Sequence, residues 1–334
     1  MSEKLFETPI LFLIFNRPDT AQQVFDQIKL VKPAILYVGA DGPRENKEGE
    51  AELCQQTRNI LQQIDWECEL HTLFREKNLG CADAVRFAID WFFEREEGGI
   101  ILEEDCVPSA DFFRYCQDLL IKYQDETRVM MISGYTPISP NINQGCSFYF
   151  ARLGSCWGWA TWKRAWNKYD YALSKWLDYC PIFLHDEYYN SMKEYREELI
   201  HIFYQLYDST APTTWDYQWA YTMIINNGMN IMPCKNLITN IGMIGAHYSG
   251  EETLGLFSSR YNLEFPLKYP EIIKENQEND SILGLWSIKS NVKYNLALKL
   301  AVLLRKCGYF PKFECIHPVT IGFKIKDILN TRRK

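Results

Sequence analysis

The sequence predicts an α/β protein, a mostly parallel sheet with helices on both faces and a basic helical extension at its C-terminal end. Three observations carry that prediction. Short, wholly apolar runs, such as residues 10–15 and 100–102, read as strands buried on both faces. Amphipathic segments of helical period alternate with them along the first 127 residues, the pattern of a parallel sheet covered on two sides. Each apolar run ends in a polar loop, and the fourth runs straight into three carboxylates, Glu103, Glu104 and Asp105.

Taken in order, residues 10–15 form the first strand, turned by Asn16-Arg17-Pro18. Residues 20–30 place Val24, Phe25 and Ile28 at helical spacing. Residues 34–40 are a second strand, closed by Asp41-Gly42-Pro43-Arg44. Residues 50–64 form a polar helix with Leu53, Ile60, Leu61 and Ile64 along one edge, and residues 69–74 form the third strand. The turn Arg75 to Gly80 leads into a helix that runs through Trp91. Gly98 and Gly99 end a charged run and open the fourth strand, and Pro108 and Ser109 open an amphipathic helix beyond the carboxylates. Side chains alternate along a strand, so Glu103 and Asp105 are expected to point one way and Glu104 the other. Two hard oxygen donors at a strand end suit Mn²⁺ or Mg²⁺ carrying a phosphate ligand. A solvated acidic turn ahead of a helix is the bland alternative.

The second half is less regular. Strands are expected near 128–133 and 148–153. The aromatic run 155–166 reads as an amphipathic helix whose spacing puts Trp159, Trp162 and Trp166 on one buried face. Residues 188–207 form a helix, and Thr213 or Thr214 caps another that carries Asp216 in its first turn. Residues 235–250 hold Gly242, Gly245 and Gly250, the composition of a loop that could close over a ligand, with Asn240 and His247 in it. Residues 275–281 read as a linker, and 288–306 as a basic amphipathic helix. The domain reading is therefore 1–274 as one domain in two halves, 1–127 and 128–274. Residues 275–334 form a linker and a basic extension.

Composition narrows the function. A net charge of −7 gives no reason to expect nucleic acid. Charge is uneven: residues 281–334 hold 11 Lys and Arg against 2 Asp and Glu, so this tail is expected to meet an anionic surface such as a membrane, or the acidic body itself. The 11 cysteines are scattered with no CxxC, which favours free thiols in a reducing compartment and hence a cytoplasmic, membrane-peripheral location. The first strand runs into FNRPDT and not into GxGxxG or GxxxxGK[ST], which excludes the usual dinucleotide and P-loop readings.

Together these residues resemble the GT-A class of Rossmann-like nucleotide-sugar glycosyltransferases, most nearly the N-acetylglucosaminyltransferase I family and related bacterial enzymes of surface polysaccharide synthesis. The likeness runs in order from about residue 9 to residue 249. It implies that Arg17 and Asp41 meet the nucleotide base, and that Asn78 turns over the nucleotide. It implies that Glu103 and Glu104 lie near the ribose and donor sugar and that Asp105 ligates Mn²⁺ (or Mg²⁺). Gly158-Trp159 would flank the donor sugar. Asp216, in a Trp-Asp segment, would be the catalytic base, and the loop from Asn240 to His247 would close on the diphosphate, with His247 a further metal ligand. Having Glu103 first departs from the usual DxD. The activity implied is inverting transfer of a hexosyl group from a nucleotide-diphosphate sugar, with UDP the expected nucleotide, to a hydroxyl of a saccharide acceptor. Two rivals stand beside it: a sugar-phosphate nucleotidyltransferase, which would need a Gly-rich turn after the first strand, and a non-catalytic nucleotide-sugar or glycan-binding protein.

Overall fold

The computed structural model describes residues 5–137, 145–242 and 260–287. His247 and the basic tail from 288 lie outside them.

The chain opens with β1 (Ile10–Ile14), α1 (Pro18–Val31), β2 (Ile35–Ala40), α2 (Glu50–Asn59) with a 3-10 turn at Ile60–Gln63, β3 (Glu69–Phe74), α3 (Cys81–Phe93) and β4 (Gly98–Glu103). Next come the short β5 (Cys106–Pro108), α4 (Ala110–Lys122), β6 (Val129–Ser133), β7 (Phe148–Ala151), β8 (Trp159–Trp162) and α5 (Lys163–Trp166). Then follow α6 (Trp176–Leu184), a 3-10 segment at Glu187–Met192, α7 (Lys193–Asp208), α8 (Asp216–Ile225), β9 (Met229–Pro233), β10 (Ile238–Asn240) and α9 (Gln277–Ser287).

Eight strands form one sheet in the order β3-β2-β1-β4-β8-β6-β9-β7. β8 and β7 run antiparallel to their neighbours, and the other six share one direction. A separate two-stranded sheet joins β10 to β5. The α/β fold class read from the sequence is the one observed. The sheet is continuous across residue 127, because β8 from the second half pairs with β4 from the first.

Alternation along the strands divides the core. Ile10, Phe12 and Ile14 of β1, with Ile100 and Leu102 of β4, pack under α1 and α4. Leu11, Leu13 and Ile101 face the other way, onto Ile89 and Phe92 of α3 and Trp219 and Met223 of α8. A third cluster joins Trp176 and Phe183 of α6 to Ile200 and Phe203 of α7.

Two sequence expectations give way here. Residues 159–162 are a strand, not the start of a helix: Trp159 to Trp162 register against β4 and Trp159 against Ser133 of β6, and only 163–166 turn helical. The spacing of Trp159, Trp162 and Trp166 fits a helix, but the neighbouring strands supply a gap in the sheet that this β-compatible segment fills. Residues 275–281 are not a free linker. Asn276 N–H donates to Phe150 O at 2.8 Å, and α9 begins at Gln277. Asp280 is fully buried, accepting from Arg152 N–H at 2.7 Å and from the Tyr188 hydroxyl at 2.5 Å. A polar composition there reflects a buried charge network and not solvation.

Candidate active site

The parallel strands β3, β2, β1 and β4 all end at one edge, and the loops after them carry most of the residues singled out above. In open α/β sheets this edge is where ligands bind. Helices that return from it, such as α1 and α3, present their N-termini there.

Three clasps organise the edge. Asp41, just past β2, is buried and accepts from Gly42 N–H (2.9 Å), Asn78 Nδ2 (2.9 Å), Leu79 N–H (3.0 Å) and Gly80 N–H (3.1 Å). Burial raises its carboxyl above the usual range, and the backbone donors act in the opposite direction. Asp41 and Asn78, two residues assigned to the nucleotide, are therefore in direct contact, with the Asp41 oxygens occupied inside the protein. The second clasp is Glu50 on α2, buried, which accepts from Asn16 Nδ2 (2.9 Å) and Arg44 N–H (2.7 Å) and pairs with the Arg44 guanidinium. The third is Arg17, whose Nε donates to Glu104 Oε1 at 2.7 Å while Nη2 donates to Asp105 Oδ2 at 3.0 Å.

Glu103 and Glu104 turn to opposite sides, whereas Asp105, in the turn past the end of β4, shares Arg17 with Glu104. Glu104 turns to the α1 side, is 4% exposed, and spends its two oxygens on Arg17 and on the Phe15 N–H at 2.6 Å. It braces β4 against the end of β1. Glu103 follows Ile101 onto the α3 and α8 side. Burial, then the Asp105 and Asp216 carboxylates, push its carboxyl up to about 8. Part of its surface still reaches solvent. Asp216 is exposed in the first turn of α8, close enough to be felt by Glu103. Cys81 at the start of α3 and Cys156 ahead of β8 feel both Glu103 and Asp216, so the four groups are electrostatic neighbours.

Asn240 and Gly242 close the site from above. β10 pairs with β5 directly after the carboxylates, and Ile241 N–H donates to Asp105 O at 2.8 Å. Asn240 Oδ1 accepts from Gly242 N–H at 2.8 Å, which bends the chain over Asp105. A Cβ on residue 242 would lie 2.0 Å from Asp105 Oδ2 and 3.0 Å from Arg17 Nη1, so only glycine fits.

Gly158 and Trp159 do not face this space as expected. Trp159 is completely buried, stacked on Trp215 at 5.6 Å and beside Trp166 and Trp219. As a central strand residue it belongs to the sheet interior. Gly158 is buried with φ +60°, and a Cβ there would meet Ile238 Cδ1 at 2.4 Å. Its glycine is demanded by the crossing of β10 and not by a ligand.

Sequence reasoning passed over Arg44, Glu50, Arg75 and the two thiols. Arg44 ends the DGPR loop after the second strand, the one signal that marked it; Glu50 was hidden in a polar helix. Arg75 follows β3 and feels the charge of Asp41.

A hard cation fits the donors in a limited way. Glu103 and Asp105 are electrostatic neighbours, but no group of three or more His, Cys, Asp or Glu among the described residues is arranged to hold an ion. That donor set suits Mg²⁺ or Mn²⁺ bound through one or two carboxylates, with phosphates and water completing the shell.

No family model matches the chain, and no curated protein matches it. A solved structure of UDP-glucose pyrophosphorylase complexed with UDP-glucose aligns with 43% of this chain and 62% of its own, at 12% identity and a TM-score of 0.26. The chain thus spans less than two thirds of that protein, and at this similarity the match carries no argument about function.

Proposed function

We propose that the chain is an inverting, metal-dependent glycosyltransferase that moves a hexosyl group from a nucleotide-diphosphate sugar to a hydroxyl of a saccharide acceptor. One observation carries this reading: Glu103 and Asp105 at the end of a central parallel strand share an electrostatic neighbourhood with Asp216 on the N-terminus of a different helix. A diphosphate leaving group and an acceptor hydroxyl need two such walls.

Asp105, with Glu103 beside it, would hold Mn²⁺ or Mg²⁺, which when bound supplies charge neutralisation for the departing diphosphate. Arg17, Arg44 and Arg75 line the same edge and add positive charge for phosphate oxygens. Asp216 takes the proton from the acceptor hydroxyl as its oxygen bonds to C1 of the donor. The C1–O bond to the diphosphate breaks on the opposite face, its electron pair leaving with the nucleoside diphosphate, and the anomeric carbon inverts. Asp216 lies exposed in the first turn of α8, where the helix N-terminus favours a carboxylate. Asn240-Ile241-Gly242 lie over Asp105, where they shield the reacting centre from water.

A panel of nucleotide sugars with Mn²⁺ tests the proposal. Thermal stabilisation by one donor should exceed that by its free sugar, and acceptor-dependent release of the nucleoside diphosphate should follow. Pyrophosphate-dependent formation of a nucleoside triphosphate would instead identify a nucleotidyltransferase. Binding with neither hydrolysis nor transfer would identify a binding protein.

A further inference from the structure

We infer that Arg17 is the resident cation of the acidic site and keeps a free divalent ion off Asp105 until a diphosphate arrives. The inference rests on the proposed metal-dependent reading but concerns only this chain's residues.

The geometry is specific. Arg17 spans two adjacent carboxylates with different nitrogens, Nε on Glu104 at 2.7 Å and Nη2 on Asp105 at 3.0 Å. Glu104 is nearly buried and also holds the Phe15 N–H, so it anchors one end of the fork. The other end covers Asp105 Oδ2. Gly242 packs against the same oxygen and against Arg17 Nη1, leaving no room even for a methyl group. The remaining oxygen, Oδ1, is approached by Cys106 Sγ at 3.5 Å. A divalent ion therefore meets a carboxylate already paired with a fixed positive charge and roofed by backbone. Bringing an ion to Asp105 requires the guanidinium to swing off Oδ2, which leaves a cation near a cation unless new negative charge enters. Arg17 side chain is 34% exposed, so it can reach solvent-side phosphate oxygens without breaking the core. Phosphate is the partner its planar fork matches best. An incoming diphosphate would draw Arg17 outward and deliver oxygens to the ion at once. Loading of metal and diphosphate is then coupled through one side chain.

Mn²⁺ binding is measured without nucleotide, by the loss of the free-ion EPR signal, on the wild-type chain, Arg17→Lys, and Arg17→Gln/Glu104→Gln. The double substitution removes Arg17 together with its buried partner Glu104, so the carboxylate left without Arg17 is the more exposed Asp105; circular dichroism checks the fold. Wild type and Arg17→Lys should bind free Mn²⁺ weakly, and the double variant at least about tenfold more tightly, since a positive charge within a few ångströms is gone. Equal or weaker binding by the folded double variant overturns the inference, as does tight Mn²⁺ binding by the wild type alone. Because no nucleotide is present, this outcome is independent of the donor panel, and a failed panel with a positive EPR result would separate the two ideas.

Discussion

Asp280 offers the most quantitative prediction in the molecule. Its side chain is fully buried and accepts from Arg152 N–H and the Tyr188 hydroxyl, while Arg152 itself pairs with Glu275 at 2.9 Å and Asp186 at 3.4 Å. Burial raises the Asp280 carboxyl from 3.8 to about 6, against the lowering effect of its hydrogen bonds. The folded state thus holds a proton that the unfolded chain has lost, and stability must fall as pH rises from 3.8 through about 6. The shift is worth about 3 kcal/mol in full, of which about 2 kcal/mol is expressed between about pH 4.5 and about pH 7.5. Asp280→Asn keeps the shape and cannot ionise. Urea unfolding of wild type and variant at both pH values isolates the term, because other titrating groups cancel in the double difference. Wild type should gain about 2 kcal/mol relative to the variant on acidification. An identical pH response in the two proteins, or a wild type that gains on the variant as pH rises, refutes the assignment of a buried, proton-holding carboxylate.

Other substitutions probe the site and its frame. Asp105→Ala should abolish Mn²⁺-dependent stabilisation by the donor while circular dichroism stays native; unchanged Mn²⁺-dependent affinity would remove Asp105 from the metal site. Asp216→Asn should lower the transfer rate at saturating substrates by about 10² to 10⁴-fold with donor affinity little changed. Near-normal turnover would leave Asp216 as a first-turn helix residue only, since Asn is tolerated there nearly as well as Asp. Trp159→Ala should destabilise the fold by about 3 to 5 kcal/mol in urea unfolding, as expected for a buried aromatic; a loss of donor affinity at full stability would restore it to the site. For the tail from 288, the basic amphipathic sequence predicts co-sedimentation of the full chain with anionic vesicles at low salt, and a protein that stays in the supernatant would end that role. No helix among the described residues is long and apolar enough to cross a membrane.

The local code of this chain was enough to predict the parallel half of the sheet. The runs at 10–15, 34–40 and 100–102 are apolar enough, and the intervening helices periodic enough, that residue-level propensity and long-range packing agree, and the more polar 69–74 takes the exposed edge of the sheet. Alternation along β4 separated Glu103 from Glu104, but it also grouped Asp105 with Glu103, and Asp105 lies past the strand end, where the turn brings it to the Arg17 that Glu104 holds. Elsewhere the decision was tertiary. Trp159 to Trp162 have helical spacing, yet the open edge of β4 takes them as a strand and buries Trp159. Residues 275–281 have a linker's composition, yet Arg152 and Tyr188, distant in sequence, receive Asp280 into the interior. Arg17 looked like a ligand contact, and only the meeting of β1 with β4 showed its charge already bound to Glu104 and Asp105. A charged side chain's role depends on which partner lies within a few ångströms, and that distance is set by the folding of segments far apart in the chain.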